Sequence, residues 1–219
     1  MHTESAPFIA PKCLEEIEIL HQDEHLLLIN KPSRLLSLSG KHPANLDSVH
    51  HRLVKDFPSA LMVHRLDLGT SGLMVIALNK QVNKDICEQF AARTVKKTYT
   101  ALLQGHIPYG KGCIDLPIAK DDFPLQKICY EYGKPATSEY VVEERSEAFT
   151  RVTFIPKTGR THQLRIHSRE IGHPILGCDL YGNDESLAAA KRLMLHATTL
   201  EFVHPVTNEK IVAHCACPF

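Results

Sequence analysis

One short segment of the chain combines residue types that acid–base or nucleophilic chemistry requires. Residues 64–72 read HRLDLGTSG, which places the carboxylate of Asp67 two positions after Arg65 and directly before a glycine-containing turn. The apolar run that follows, 73–78, predicts a buried strand. We therefore expect an ionised acid at the mouth of a strand, beside a cation, where it can meet an anionic ligand. The alternative is that Asp67 only hydrogen-bonds its own turn, as Asp often does.

A second segment carries most of the clustered positive charge. Its cationic or titratable side chains are Lys157, Arg160, His162, Arg165, His167 and Arg169. Thr161 is predicted to cap a helix that runs to Gly172. On such a helix His162, Arg165 and Arg169 fall within about 60° of one another around the axis. We expect this edge to face an acidic group or a polyanion while the other edge packs.

A third segment places an aromatic ring beside two lysines. Residues 98–103 alternate in the manner of a strand, with Tyr99 next to Lys96 and Lys97. A strand tyrosine is commonly a core residue whose hydroxyl is satisfied, and that alternative holds for Tyr99. Arg65 likewise has a structural ion pair as its alternative role.

Composition limits the classes of protein to be considered. The chain has 219 residues, of which 43% are hydrophobic, enough for the core of one domain. No apolar run is long enough to span a membrane, the N-terminus lacks a signal-peptide pattern, and the seven cysteines are scattered. These features predict a cytoplasmic protein without a disulfide framework. Cys215 and Cys217 lie beside His214, but no second ligand pair has zinc spacing, so no metal is expected.

Net charge does not by itself indicate a nucleic-acid partner. Lys plus Arg total 25 and Asp plus Glu total 25, whereas an RNA-binding protein is usually basic. Binding to phosphates depends on where the positive charge lies, and here it is concentrated in the two basic segments.

The hydrophobic pattern predicts an α+β fold with a largely antiparallel sheet flanked by helices. Predicted strands are 16–20, 26–30, 62–66, 73–78, 98–103, 138–143, 150–155, 200–204 and 210–214. Predicted helices are 46–54, 82–93, 161–172 and a segment of 186–195 that gives way to a strand, whereas 111–132 has mixed signals.

The motifs resemble those of one enzyme family. HRLDLGTSG is similar to the signature of the RluA-type pseudouridine synthases, which isomerise uridine in RNA. Three further stretches match this family in the same order: KKTYTAL (96–102), GRTHQLRIH with GHPILGCDLYG (159–167 and 172–182), and RLMLHATTLEFVHP (192–205). The resemblance extends from about residue 20 to the end of the chain and implies the pseudouridine synthase catalytic fold, with its active-site cleft.

The resemblance implies roles for individual residues. Asp67 matches the catalytic aspartate, Arg165 the arginine that pairs with it, and Tyr99 the active-site tyrosine that stacks on uracil and lies near the departing C5 proton. Arg65 is implied to occupy the space left by a flipped base. Further expected RNA contacts come from His64, Lys97, Arg160, His162 and Arg169. The reaction is redox-neutral, so no cofactor is implied.

Three routes remain open for Asp67: attack on the sugar, addition to the ring, or removal of a sugar proton. Each requires an ionised carboxylate, which a nearby opposite charge favours. The alternatives to catalysis by this family's chemistry are a non-catalytic RNA-binding or ribosome-assembly factor and, more distantly, an Asp-dependent hydrolase.

The resemblance also predicts domain organisation and substrate. We expect an N-terminal extension, 1–15, then a single catalytic domain, 16–219, without the S4-type RNA-binding domain of many relatives. The segments LLSLSG (35–40) and ICYEYGKPATSEY (128–140) most resemble a dual-specificity member of the family. Its targets are position 32 of a tRNA anticodon loop and position 746 of 23S ribosomal RNA. A sister synthase with another target is the alternative, and a monomer is the default.

Overall fold

The structure is a computed structural model that describes residues 8–219. Its strands are β1 Glu18–Gln22, β2 Leu26–Lys31, β3 Leu61–Met62, β4 Ser71–Ala77, β5 Lys96–Gln104, β6 Lys111–Asp115, β7 Ile118–Lys120, β8 Gln126–Ile128, β9 Thr137–Arg145, β10 Phe149–Pro156, β11 Leu195–Val203 and β12 Lys210–His214. Its helices are α1 Val49–Leu53, α2 Lys80–Ala91, α3 Gln163–Glu170 and α4 Asp184–Ala188, besides a short 3-10 turn at Pro43–Asn45.

Ten strands form one sheet, and β7 and β8 pair separately. The main order is β1-β2-β4-β11-β5-β10-β9-β6, with β12 added to β11 and β3 to β4. Within residues 8–219, β4 and β11 form the one parallel strand pair, and the other pairs are antiparallel. The predicted α+β class with a largely antiparallel sheet is therefore confirmed.

The sheet carries two hydrophobic cores, one in each half of the molecule. The first packs β2 and β4 against α1 and α2, and every residue of β4 is buried. The second lies between β5, β10, β11 and α3, where β10 buries every second residue, as expected of a strand with one solvent-facing side. Tyr99 packs against both cores and so marks the junction between the halves.

The parallel pair at the centre depends on a glycine. Gly72 has φ +111°, and a Cβ there would lie 2.3 Å from the carbonyl oxygen of Ala197. Only glycine allows β4 and β11 to approach this closely with that backbone geometry. The contact joins the two halves directly behind the segment that carries Asp67.

Several predicted elements need correction. The strand predicted at 62–66 is only Leu61–Met62, because the chain then leaves the sheet for an irregular loop. The helix predicted at 46–54 is the single turn α1, and α4 ends at Ala188, well before the strand that begins at Leu195. The mixed segment 111–132 forms three short strands, β6 to β8.

The helix predicted at 161–172 begins later than expected. It starts at Gln163, and His162, with φ +56°, precedes it in place of a Thr161 cap. The side-chain oxygen of Gln163 accepts the Thr158 hydroxyl at 2.8 Å and the Arg160 N–H at 3.0 Å. Gln163 therefore closes the turn, which moves the helix start by two residues.

Of the predicted N-terminal extension, 1–15, residues 1–7 lie outside the described part of the chain. Among the helices of residues 8–219, none has the length and apolarity that crossing a membrane requires.

Candidate active site

Most of the predicted site residues meet in one pocket at the junction of the two halves. The pocket has a volume of about 110 Å³. Its walls include seven of the nine predicted residues: Arg65, Asp67, Lys97, Tyr99, Arg160, His162 and Arg165. They come from the loop before β4, from β5, and from the segment that leads into α3, so residues nearly one hundred positions apart converge.

The carboxylate of Asp67 faces this pocket. The Asp67 backbone carbonyl accepts the Thr70 N–H at 3.1 Å, so backbone groups close the turn. Oδ1 of Asp67 lies 4.0 Å from Nε2 of His162, and the Asp67 side chain is 28% exposed. Among the hydrogen bonds of residues 8–219, none joins this carboxylate to its own turn, which removes the alternative role considered for it.

The loop that carries Asp67 is held by the segment after β2. Nζ of Lys31, fully buried, donates to the carbonyls of Leu35 at 2.8 Å and Leu68 at 3.3 Å. The hydroxyl of Ser37 donates to the Leu66 carbonyl at 2.7 Å. Burial lowers the pKa of Lys31 to about 7. Sequence reasoning missed Lys31, although a lysine that ends an apolar strand before a proline is an unusual feature.

Tyr99 and Lys97 enter the pocket from β5. Two residues apart on one strand, they lie on the same side of the sheet. Burial, reinforced by the negative charge of Asp67, raises the pKa of Tyr99, so its hydroxyl keeps its proton throughout the neutral range. Burial lowers the pKa of Lys97.

Arg165 lines the pocket but does not pair with Asp67 as expected. Its guanidinium donates to Oδ1 of Asp179 and, through Nε, to Sγ of Cys178 at 3.4 Å. Burial alone lowers the pKa of Arg165, but the hydrogen bond to Cys178 and the negative charges of Asp67 and Asp179 outweigh it and raise that pKa overall. Arg165 thus supplies positive charge near Asp67, but its ion pair is with Asp179, and the ion pairs of residues 8–219 include none between Arg165 and Asp67.

His162, not Arg165, lies nearest to Asp67. Nδ1 of His162 is 2.7 Å from the hydroxyl of Tyr181, which also accepts the N–H of Gln126 at 2.9 Å. Burial lowers the pKa of His162, although the Asp67 charge opposes this. Sequence reasoning did not single out Tyr181.

Two further cations lie at the pocket rim. Arg65 is exposed, and the ion pairs of residues 8–219 include none that it forms. A structural ion pair, the alternative considered for Arg65, is therefore not present in the described chain. Nε of Arg160 donates to the Pro135 carbonyl at 3.1 Å, which fixes the base of its side chain beside the pocket.

The structure places two predicted RNA contacts elsewhere. The ring of His64 stacks on Phe90 at 4.8 Å, and its Nε2 accepts the Val75 N–H at 3.1 Å. Burial lowers the pKa of His64 to about 4, so the imidazole is neutral and structural. Arg169 is paired with Glu170 and does not line the pocket, but it shares an edge with Arg165 as predicted: the two guanidinium groups lie 5.4 Å and 5.3 Å from the centre of the Tyr181 ring.

The described residues contain no group of three or more His, Cys, Asp or Glu side chains placed to hold a metal ion. Cys215 and Cys217, which were considered as metal ligands together with His214, follow strand β12, because that strand ends at His214.

Comparisons with known proteins agree with the geometry. The profile of the family described as RNA pseudouridylate synthase matches residues 25–170. A dual-specificity RNA pseudouridine synthase RluA from Yersinia pestis is 46% identical over 204 residues, covering 92% of this chain and 99% of the relative. The protein of that name from Escherichia coli (strain K12) is 47% identical over 204 residues, covering 92% and 93%.

A solved structure supports the same assignment. Human RNA Pseudouridylate Synthase Domain Containing 1 is similar with a TM-score of 0.80 at 30% identity, covering 95% of this chain and 86% of that one. The chain therefore belongs to the RNA pseudouridylate synthase family, whose members are isomerases that convert uridine in RNA to pseudouridine.

Proposed function

We propose that this isomerase uses Asp67 to convert uridines in two RNAs, at position 32 of a tRNA anticodon loop and at position 746 of 23S ribosomal RNA. The observation that carries the proposal is the composition of the pocket. Asp67 is the single carboxylate among its described lining residues, and the cations Arg65, Lys97, Arg160 and Arg165 surround it. Such a site attracts a phosphate-bearing substrate.

The reaction breaks the N1–C1′ bond, turns the uracil and forms a C5–C1′ bond. The C5 proton is lost and N1 gains one, so no oxidant, reductant or group donor is consumed. Asp67 acts on the sugar or on the ring, as nucleophile or base. Arg165 and His162 lie beside Asp67 in the pocket, where they can orient its carboxylate towards the substrate.

Tyr99 is proposed to hold the base during the turn. Its ring packs across the junction of the two cores, so it presents a rigid surface on which uracil stacks. Its hydroxyl is proposed to relay the C5 proton: it passes its own proton to a neighbouring acceptor in the pocket as it receives the proton from C5.

Arg65 is proposed to act on the RNA rather than on the bond being broken. A uridine in a folded loop must leave its stack before it can enter a pocket, which costs a few kcal/mol. Arg65 is exposed and lies two positions before Asp67 in the sequence, so it can fill the position that the flipped uridine leaves in the RNA stack. Lys97, Arg160 and His162 then contact the flipped nucleotide and its phosphates.

The choice of targets is supported by the relatives. Similarity to proteins named dual-specificity synthases extends over 92% of the chain, including segments outside the catalytic motifs. We also propose that the enzyme is cytoplasmic and acts as a monomer.

The proposal is tested by tritium release from C5-labelled uridine in an anticodon stem-loop and in the 23S ribosomal hairpin, with EDTA present. We expect tritium release from both RNAs. In the control RNAs cytidine replaces the target uridine and the remaining uridines carry the label, and we expect no release from them. Release from one RNA alone, or from other uridines, would disprove the dual target. No release from any RNA would disprove catalysis.

A further inference from the structure

A second hollow, here called the side groove, adjoins the active pocket. It has a volume of about 360 Å³ and shares the wall formed by Lys97 and residues 158–160 with the pocket. Its outer side consists of Phe90, Arg93 and Val95, at and after the end of α2, and of Lys157 after β10. The side groove therefore lies directly beside any nucleotide that occupies the pocket.

The side groove is strongly positive although the chain as a whole is neutral. Arg93, Lys97, Lys157 and Arg160 line it, and none of its described lining residues is acidic. Lys157 has a counter-ion nearby, Glu139, at 2.8 Å. Arg93 is exposed, and none of the ion pairs found in residues 8–219 includes it. With 25 cationic and 25 anionic residues in total, this concentration is local segregation of charge.

Arg93 also occupies a backbone position that favours another residue. It follows the last turn of α2 with φ +60°, where its N–H donates to the Phe90 carbonyl at 3.2 Å. Glycine is the preferred residue at this point of a helix end, since it adopts a left-handed conformation without strain. The backbone conformation at position 93 therefore does not account for an arginine there. Its side chain lines the side groove.

We propose that the side groove binds the phosphodiester backbone of the RNA strand next to the target uridine, with Arg93 and Lys157 as phosphate contacts. This inference rests on the proposed function, because it needs an RNA nucleotide in the active pocket. A positive groove that continues from a base-binding pocket suits single-stranded RNA, whose phosphates lie on both sides of each flipped base.

The test compares Arg93→Gly and Lys157→Gln with matched controls. Asn208→Gly makes the same backbone change at φ +59°, in the turn between β11 and β12 and away from the loop that carries Asp67. Lys210→Gln removes a lysine 2.7 Å from Glu201, as Lys157 lies beside Glu139. Thermal unfolding of all four variants checks the fold, and glycine at position 93 is expected to preserve or raise stability.

The probe is a fluorescently labelled anticodon stem-loop, whose Kd is measured at several salt concentrations, with kcat and KM from tritium release. We expect each groove variant to weaken binding about threefold to tenfold, to raise KM with kcat unchanged, and to reduce the salt slope by about one. The controls should bind like the wild type.

Unchanged Kd and salt slope in both groove variants, or equal losses in the controls, would overturn the proposal. Kd is measured with each groove or control substitution placed in the Asp67→Asn protein, which binds the RNA without converting it, so the result is separate from the fate of the proposed function. Wild-type binding without tritium release would contradict catalysis, while weaker binding by the groove variants alone would still support the groove.

Discussion

At the scale of single residues, Tyr99 offers a clear separation of roles. Tyr99→Phe keeps the ring that stacks on uracil but removes the hydroxyl that is placed to exchange a proton with C5. We expect kcat for tritium release to fall by about 10² or more, a typical effect of losing an acid–base group, with KM within about twofold. Steady-state kinetics measures both values.

A matched variant completes this test. Tyr99→Leu removes ring and hydroxyl together and should raise KM as well as lower kcat. Full activity of Tyr99→Phe would show that the hydroxyl has no part in proton transfer. The pKa of Tyr99, raised by burial, further predicts no rise in rate from tyrosinate formation as pH increases from 7 to 10.

Residue types alone do not identify every member of the site. Asp67, Tyr99 and Arg165 are predictable because their surrounding motifs resemble a known family, and each lines the pocket. Arg165 was expected to pair with Asp67, but its guanidinium binds Asp179 instead. The packing of α3 decides which carboxylate the guanidinium reaches, and the sequence does not show that packing. The structure places His64 outside the pocket with its ring against Phe90, a contact that one sequence position cannot reveal.

At the scale of elements, the β4–β11 pair makes the strongest demand on the sequence. Gly72→Ala would place a Cβ 2.3 Å from the Ala197 carbonyl at φ +111°, so the strands must separate. We expect the free energy of unfolding in urea to fall by about 3 kcal/mol or more. Gly110→Ala is the control, because a Cβ there meets nothing within 4 Å and should change stability by less than about 0.5 kcal/mol.

Equal stabilities of the two variants would show that β4 and β11 can relax around the added methyl group. Activity should fall with stability in Gly72→Ala, since the glycine lies directly after the loop that carries Asp67.

Elements are predictable where local pattern and tertiary structure agree. Strand β4 is a continuous apolar run, and α2 repeats apolar residues at Val82, Ile86 and Phe90, so the sequence pattern predicts both. The pattern also predicts a strand through 66, because apolar residues continue beyond the end of β3. This segment leaves the sheet because Ser37 binds the Leu66 carbonyl and Lys31 binds the Leu68 carbonyl. Both partners come from a distant part of the chain, so the local pattern cannot predict the contacts.

At the scale of the whole molecule, buried neutral histidines make stability depend on pH. Burial lowers the pKa of His64 and of His196 to about 4, against about 6.5 in an unfolded chain. Between these values the unfolded state binds more protons, so stability is complete above pH 6.5 and is lost as pH falls towards 4. Each histidine contributes on the order of 3 kcal/mol to this loss when it is fully protonated.

Urea denaturation at pH 7 and pH 5 measures the effect. In His64→Gln the amide oxygen still accepts the Val75 N–H but does not titrate, so this variant should lose less stability between the two pH values. His106→Gln, at an exposed position, should behave like the wild type. A wild-type protein equally stable at both pH values would contradict the assignment of neutral buried imidazoles.

Asp67 is proposed to perform uridine isomerisation in RNA, and C5 tritium release by wild type and Asp67→Asn tests this role. The asparagine side chain has nearly the same shape as aspartate but no ionisable carboxylate. We expect Asp67→Asn to bind the anticodon stem-loop with a Kd close to that of the wild type yet to release no tritium above background. Release at a rate near that of the wild type would show that Asp67 is not required, because the described residues that line the pocket include no other carboxylate to take its place.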